Sequence, residues 1–425
     1  MPGSLTLPAG IPSPTDRSVA RVVAEWVAVD RDRPAAAVAA VVGAVAAARG
    51  LEIDLVVDAT AVPPSPRVAA ELVDDTACEL VAGGWGPWLP GLARESLVSD
   101  DRRRLGVHHT PASAVDEILD LVDTHGCPLG QVSRVLDPSV GGGAFLLGVA
   151  SRSLSPPDRT VDAMWAVDVD PLAIATTIAA LSLWAGVPPR PEQMVVGNFL
   201  SDEVRDVLAP SFDLVIGNPP FRSPLRSDTA RADTDRALLR RRWPDLGRHV
   251  DDAAAFLLAA ADHCGEAGVV ALVQPDSVLG AEDAGPVRER LDRHAPLRGL
   301  WVDRHRSFAA GVDAVAVVAG GPDPPGSVAV QVGSGPVTVR SCPEPSSWAP
   351  LLAGARGVPV LGHLAVEATL GDIADVTAGF RDQYYGLVDA VHEDPDAALR
   401  LVTVCLLYTS PSPRDLSTSR MPSSA

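Results

Sequence analysis

The sequence predicts an α/β fold built on an open, mostly parallel sheet, and three observations carry that prediction. Four short apolar runs recur through the middle of the chain: Val135-Leu136, Met164 to Val167, Met194 to Val196 and Leu214 to Ile216. Continuous apolar runs of this length suit strands buried on both faces. Helical patterns lie between and after them, behind Gly143, behind Pro171 and over Asp252 to Cys264. Each run also stops at a polar tip: Asp137, Asp168, Asn198-Phe199, and Asn218-Pro219-Pro220-Phe221. Open α/β sheets bind their ligands at the carboxyl ends of the strands.

Bulk composition narrows the function. The chain has 425 residues, room for two or three domains, and 47% of them are hydrophobic, so a sizeable core is affordable. Net charge is −19, and all 35 basic residues are arginine. That balance argues against a non-specific nucleic-acid coat protein but leaves room for a local basic groove. Cys78, Cys127, Cys264, Cys342 and Cys405 are scattered without a CxxC pair. Reduced thiols, no metal site and a cytoplasmic location are the expectation. No stretch reads as a signal peptide or a membrane span. The most apolar run, Ala35 to Ala48, is too short and alanine-rich to span a bilayer and reads as a buried helix behind Pro34.

Residues 1–100 read as a mainly helical lobe, with helices over Ser18 to Val29 and Ala35 to Arg49 and a strand over Leu51 to Val57. Trp85 and Trp88 sit in a Gly/Pro-rich turn. The chemistry begins at Thr110-Pro111, which open a helix with Thr110 as N-cap and Pro111 as its first residue. A helix start with free N–H groups can hold a carboxylate.

The first strand ends at Asp137-Pro138, and Gly141-Gly142-Gly143 then open the helix carrying Phe145, a further cofactor-binding candidate. Glycines let the backbone approach a ligand closely. The acid directly before them would repel a pyrophosphate and suits an ammonium group. This points away from NAD and towards S-adenosyl-L-methionine, whose amino-acid end and sulfur are both cationic. Asp168, at the second strand's tip, can accept from both hydroxyls of a ribose, and Asp170 caps the following helix. At the third tip, Asn198 can hydrogen-bond an adenine and Phe199 can stack on it. At the fourth, two prolines stiffen the loop and remove two N–H donors, leaving carbonyls free to accept. An amide, rigid carbonyls and the Phe221 ring suit a planar group bearing an NH2.

After Phe221 the chain reverses its charge. Arg222 to Arg248 holds eight arginines against four aspartates. Arg222, Arg226, Arg240, Arg241 and Arg242 are the candidate phosphate contacts there. Gly265 to Pro275 reads as a strand. Leu300 to Val302 and Ala314 to Val318 read as an antiparallel hairpin closing the sheet, with Phe308 between them as a second base-stacking candidate. Residues 321–368 are Gly/Pro/Ser-rich and linker-like. Residues 369–404 read as the start of another domain that then stops. Residues 405–425, CLLYTSPSPRDLSTSRMPSSA, lack periodicity and resemble a conceptual translation of a sequencing-library adapter, so they are set aside from fold reasoning.

Taken together, the motifs resemble those of the N6-adenine DNA methyltransferases of restriction-modification systems in which the cofactor motifs precede the catalytic one. The resemblance runs from about Leu105 to Val318. Asn218 to Phe221 match the catalytic Asn-Pro-Pro-Phe/Tyr loop. Asp137-Pro138-Ser139-Val140-Gly141-Gly142-Gly143 match the cofactor loop, Asp168 the ribose acid, Gly197-Asn198-Phe199 the adenine loop, and Gly106 to Pro111 the amino-terminal element. Val140 stands where Cys is usual, His108-His109 replace tyrosines, and Asn198 replaces an Asp. The resemblance implies a Rossmann-like class I methyltransferase domain over residues 101–320, with a seven-stranded, mostly parallel sheet and an antiparallel edge hairpin. It further implies S-adenosyl-L-methionine as cofactor and double-stranded DNA as partner, alongside a restriction or specificity subunit. It also implies that residues 369–404 begin a truncated target-recognition domain. The alternatives are methyl transfer to a protein glutamine or to an RNA amino group, and a catalytically silent binding module.

Overall fold

The computed structural model describes residues 13–72, 75–98, 110–208, 211–221, 238–239, 241–246, 251–304, 313–322, 325–345, 347–358 and 372. Met1–Val360 forms one compact unit. Leu361–Ala425 forms a second, in which residue 372 alone is described.

The apolar runs become strands of one large sheet. In chain order they are β1 (Val135–Asp137), β2 (Met164–Asp168), β3 (Met194–Val196), β4 (Phe212–Gly217), β5 (Cys264–Pro275), β6 (Leu297–Val302), β7 (Ala314–Gly320), β8 (Ser327–Val332) and β9 (Thr338–Ser341). Their order across the sheet is β9-β8-β6-β7-β5-β4-β1-β2-β3. β3, β2, β1, β4 and β5 are mutually parallel, while β7 runs antiparallel to both β5 and β6. The mostly parallel sheet and the antiparallel β6–β7 pair are therefore both present, but β8 and β9 lie outside that pair, so it is internal rather than at the edge, and the sheet has nine strands rather than seven among the described residues.

The two extra strands come from the stretch read as linker-like. Within residues 321–368 the Gly/Pro clusters are turns, and between them β8 joins β6 in parallel and β9 joins β8 antiparallel. Dense punctuation there marks short strands, not an absence of structure. In residues 51–57, only Val56–Val57 is a strand, in a two-stranded hairpin with Thr60–Ala61.

Successive residues of the central strands face opposite layers, as the pleat demands. Val135, Leu214, Ile216 and Val273 face one core, together with helices α1 (Ser13–Ala28) and α2 (Pro34–Ala48). Leu136, Val215 and Leu272 face the other, together with Phe199, Phe256 and Leu257. α2 starts at Pro34, and nine of its residues are buried, as its composition led one to expect. A further helix, α3 (Leu89–Ser96), packs on α1 and α2 and also on α6; α4 (Ala112–His125), α5 (Ala144–Arg152) and α6 (Pro171–Ala185) lead from the sheet's loops. α7 (Asp252–His263) covers the opposite face. Residues of the mainly helical amino-terminal region share a core with the sheet. Among the described residues, no helix is long and apolar enough to cross a membrane.

Candidate active site

Strand order reverses between β1 and β4, which lie side by side in register at Leu136 and Val215. That is the switch point where an open α/β sheet forms its ligand crevice. The tips of β1 and β4 meet there, with Asp137 on one and Gly217-Asn218 on the other. A Cβ placed on Gly217 would lie 2.5 Å from Asp137 Oδ1 and 3.2 Å from Pro138 Cδ. Glycine at 217 is thus what lets the first strand's carboxylate lie against the tip of β4, where Asn218 to Phe221 follow.

Asp137 is 1% exposed and accepts from the Ser139 N–H at 3.0 Å. Burial pushes its carboxyl up to about 8, with the nearby Asp168 carboxylate adding to the shift and the Ser139 N–H opposing it. A buried acid held near neutral in this way gains from a cation placed beside it. The loop that follows turns through Gly141 at φ 55° and Gly143 at φ 83°, and Gly143 is the N-cap of α5. Asp168 is half-buried and is held at both oxygens: Oδ2 accepts from the Gly141 N–H and Oδ1 from the Asp170 N–H, each at 2.9 Å. Asp170 caps α6 by accepting from the Leu172 N–H at 3.0 Å.

Asn218 donates from Nδ2 to Thr110 Oγ1 at 3.1 Å. Its Oδ1 is buried and has no hydrogen-bond partner among the described residues. Leaving an amide oxygen in that state costs roughly 1–3 kcal/mol, so it marks a position shaped for a donor. Pro219 is buried, Pro220 and Phe221 are partly exposed, and the Phe221 ring packs against the first core.

Several expectations change. Thr110 does not cap α4: the cap position is Pro111, with no side-chain cap bond. Asn218 occupies the Thr110 hydroxyl instead. Phe199 cannot stack an adenine, because it is 1% exposed and packs against Phe256 and His263 with ring centroids 5.3 and 5.5 Å away. The run past β3 turns its side chain into the second core. Phe145 is likewise a core residue, 2% exposed on α5. Asn198 Oδ1 accepts from the Leu200 N–H at 3.1 Å, an oxygen already engaged by the backbone. The exposed apolar surface at this edge is instead Val169, 61% exposed beside Asp168, and Val196, its register neighbour, 50% exposed. A valine directly after a strand-end acid was the available signal.

Arg241 pairs with Asp202. Arg242 pairs with Asp262 at 3.0 Å and lies over the Trp243 ring, its side chain 13% exposed, so it is an internal tie rather than a phosphate contact. Arg222, Arg226, Arg240 and Phe308 lie outside the described residues. Two residues of α3 went unread in sequence: Gly91, in backbone contact with Gly142 of the glycine-rich turn after β1, and Arg94, paired with Asp170 at 2.9 Å. A lone arginine in an amphipathic helix gives no signal of its own.

Residues 95–293 match the N-6 DNA Methylase family. The Type II methyltransferase M.PaeR7I of Pseudomonas aeruginosa is 32% identical over 177 residues, which is 38% of this chain and 29% of that protein. The chain thus spans under a third of the curated relative it matches. Among solved structures, a class I S-adenosylmethionine-dependent methyltransferase from Listeria monocytogenes aligns at TM-score 0.48 and 15% identity, over 80% of this chain and 98% of that one. A modification subunit of a type I restriction enzyme from Vibrio vulnificus aligns at TM-score 0.46 and 15% identity, over 69% and 62% of the two chains.

Proposed function

We propose, from the match of residues 95–293 to the N-6 DNA Methylase family, that this protein uses S-adenosyl-L-methionine to methylate the exocyclic N6 of an adenine turned out of duplex DNA. We place the activity in a restriction-modification system, in keeping with the curated relative, a type II methyltransferase. The observation that carries the reading is the buried Oδ1 of Asn218 at the tip of β4, which has no hydrogen-bond partner among the described residues.

The residues present fit the cofactor. Asp137 offers a buried carboxylate whose pKa, raised to about 8, falls when a cation arrives. Asp168, fixed at both oxygens by backbone N–H groups, retains lone pairs for ribose hydroxyls. Val169 and Val196 give an adenine ring an apolar surface. Bound there, S-adenosyl-L-methionine supplies a methyl group activated by a positive sulfur.

The chain's own part is placement. Extruding the base costs a few kcal/mol, and stacking on Phe221 recovers roughly 1–3 kcal/mol. Asn218 Oδ1 accepts one amine N–H. The Thr110 hydroxyl holds the other end of the amide, so the oxygen points one way. With its N–H engaged, the amine's lone pair is localised and aimed. The proline carbonyls supply a second acceptor, and Pro219 and Pro220 keep that loop from relaxing. No His or Glu base is needed before attack, and positioning supplies most of the rate.

The test offers methyl-tritiated S-adenosyl-L-methionine with duplex DNA, RNA and a protein bearing an exposed glutamine. Label in DNA adenine supports the reading. Label only in RNA or protein refutes it.

A further inference from the structure

We infer that Arg94, on a helix outside the sheet, is a positioning residue for the carboxylate of Asp168; this rests on the cofactor reading above. Arg94 is 5% exposed, and its Nη2 meets Asp170 Oδ2 at 2.9 Å; the Asp170 side chain is 14% exposed. The two residues are 76 apart in sequence. Asp170 is itself one bond from the ribose acid, since its N–H donates to Asp168 Oδ1 at 2.9 Å. The other oxygen of Asp168 is held by the Gly141 N–H at 2.9 Å.

α3 touches that second support as well. A Cβ on Gly141 would lie 3.9 Å from Arg94 Nη1, and a Cβ on Gly142 would lie 2.7 Å from the Gly91 Cα. One short helix therefore abuts both backbone segments that donate to Asp168. Asp168 itself stands at a strand end, held there by the N-cap residue of α6 and by the Gly141 N–H. A buried arginine is costly to keep unless its charge is paired and its geometry is used. Here it is spent on the loop that aims the ribose acid.

A plain structural staple would stabilise the fold and affect every ligand alike. A positioning residue affects one group of one ligand. The experiment therefore measures binding of S-adenosylhomocysteine and of its 2′-deoxyribose analogue by titration calorimetry, on the whole chain. The proteins are wild type, Asp168→Ala, Arg94→Met, Arg94→Lys, Asp170→Asn and the double variant Arg94→Met/Asp170→Asn. Wild type should favour the ribose form by roughly tenfold, the worth of a hydrogen bond to a charged group. Asp168→Ala should lose that preference. Arg94→Met and the double variant should lose most of it while retaining binding of the deoxy analogue. Arg94→Lys, which keeps the charge, should regain part of it. Asp170→Asn keeps an acceptor for the α6 cap, so it reports even if Arg94→Met does not fold, and it should also lower the preference. An undiminished preference in the folded Arg94 and Asp170 variants overturns this inference alone. Failure of wild type to bind S-adenosylhomocysteine, or a preference that survives Asp168→Ala, overturns the cofactor reading and this inference with it.

Discussion

Thr110 Oγ1 accepts a hydrogen bond from Asn218 Nδ2 at 3.1 Å, joining the segment before α4 to the tip of β4 across 108 residues of sequence. The bond turns the Asn218 oxygen away from Thr110, and that oxygen has no partner among the described residues. Thr110 thus orients the Asn218 amide, which the proposed mechanism uses. Thr110→Val should lower kcat by roughly tenfold, the loss of one oriented hydrogen bond, with a much smaller change in cofactor affinity. Thr110→Ser should restore it. A change confined to cofactor affinity would return Thr110 to a cofactor-binding role.

Gly217 and Asp137 are in closer contact than any other side chain at 217 would permit. Gly217→Ala puts a Cβ 2.5 Å from Asp137 Oδ1. Overpacking of this kind costs about 1–3 kcal/mol, so the melting temperature and the cofactor affinity should fall together. Adding Asp137→Ala should recover the melting temperature but not the affinity. Recovery of both, measured by thermal shift and calorimetry, would show that Asp137 does not contact the cofactor.

Under the proposed function, Asp137 is expected to make cofactor binding pH-dependent. Its carboxyl is held up to about 8 by burial first and by Asp168 second. The unfolded acid ionises near 3.8. Its contribution to folding is therefore full below 3.8 and is lost as pH rises through 8. A cationic ligand prefers the carboxylate, so affinity moves the opposite way. S-adenosyl-L-methionine should bind about tenfold more weakly per pH unit below 8 and level off above it. Calorimetry from pH 6 to 9 checks this, and Asp137→Asn should flatten the profile. A flat wild-type profile would contradict it.

His263 works in the other direction. Burial first, and Arg242 second, hold its imidazole down at about 4. It folds neutral beside Phe199, its Nε2 buried without a partner among the described residues. Its contribution to stability is present above 6.5, the ordinary histidine value, and is lost as pH falls through 4. Denaturant midpoints should decline from about pH 6.5 downward, by up to about 3 kcal/mol in stability. His263→Leu should lessen that decline, and an unchanged acid limb would place its origin elsewhere.

Much of this site is legible in the sequence because each strand's chemistry sits within a few residues of its apolar run. Leu214 to Ile216 marks a strand, and Asn218 then lies at its tip by simple continuation. Side-chain direction past a strand's end is harder. Phe199 follows Asn198 into a turn, and only the packing of Phe256 and His263 shows which layer takes the ring. Long-range pairs leave no local trace either: Arg94 and Asp170, or Gly91 and Gly142, become partners only when α3 docks on α6. β8 and β9 were hidden because glycine and proline mark tight turns and true linkers alike.

The decisive measurement is nucleoside analysis of duplex DNA after incubation with S-adenosyl-L-methionine and either wild type or Asn218→Ala. Wild type should yield N6-methyl-2′-deoxyadenosine. Asn218→Ala should yield none while binding the cofactor within a few-fold of wild type. Methylated adenine from the Asn218→Ala protein, or none from a wild type that methylates RNA or protein, would contradict the account.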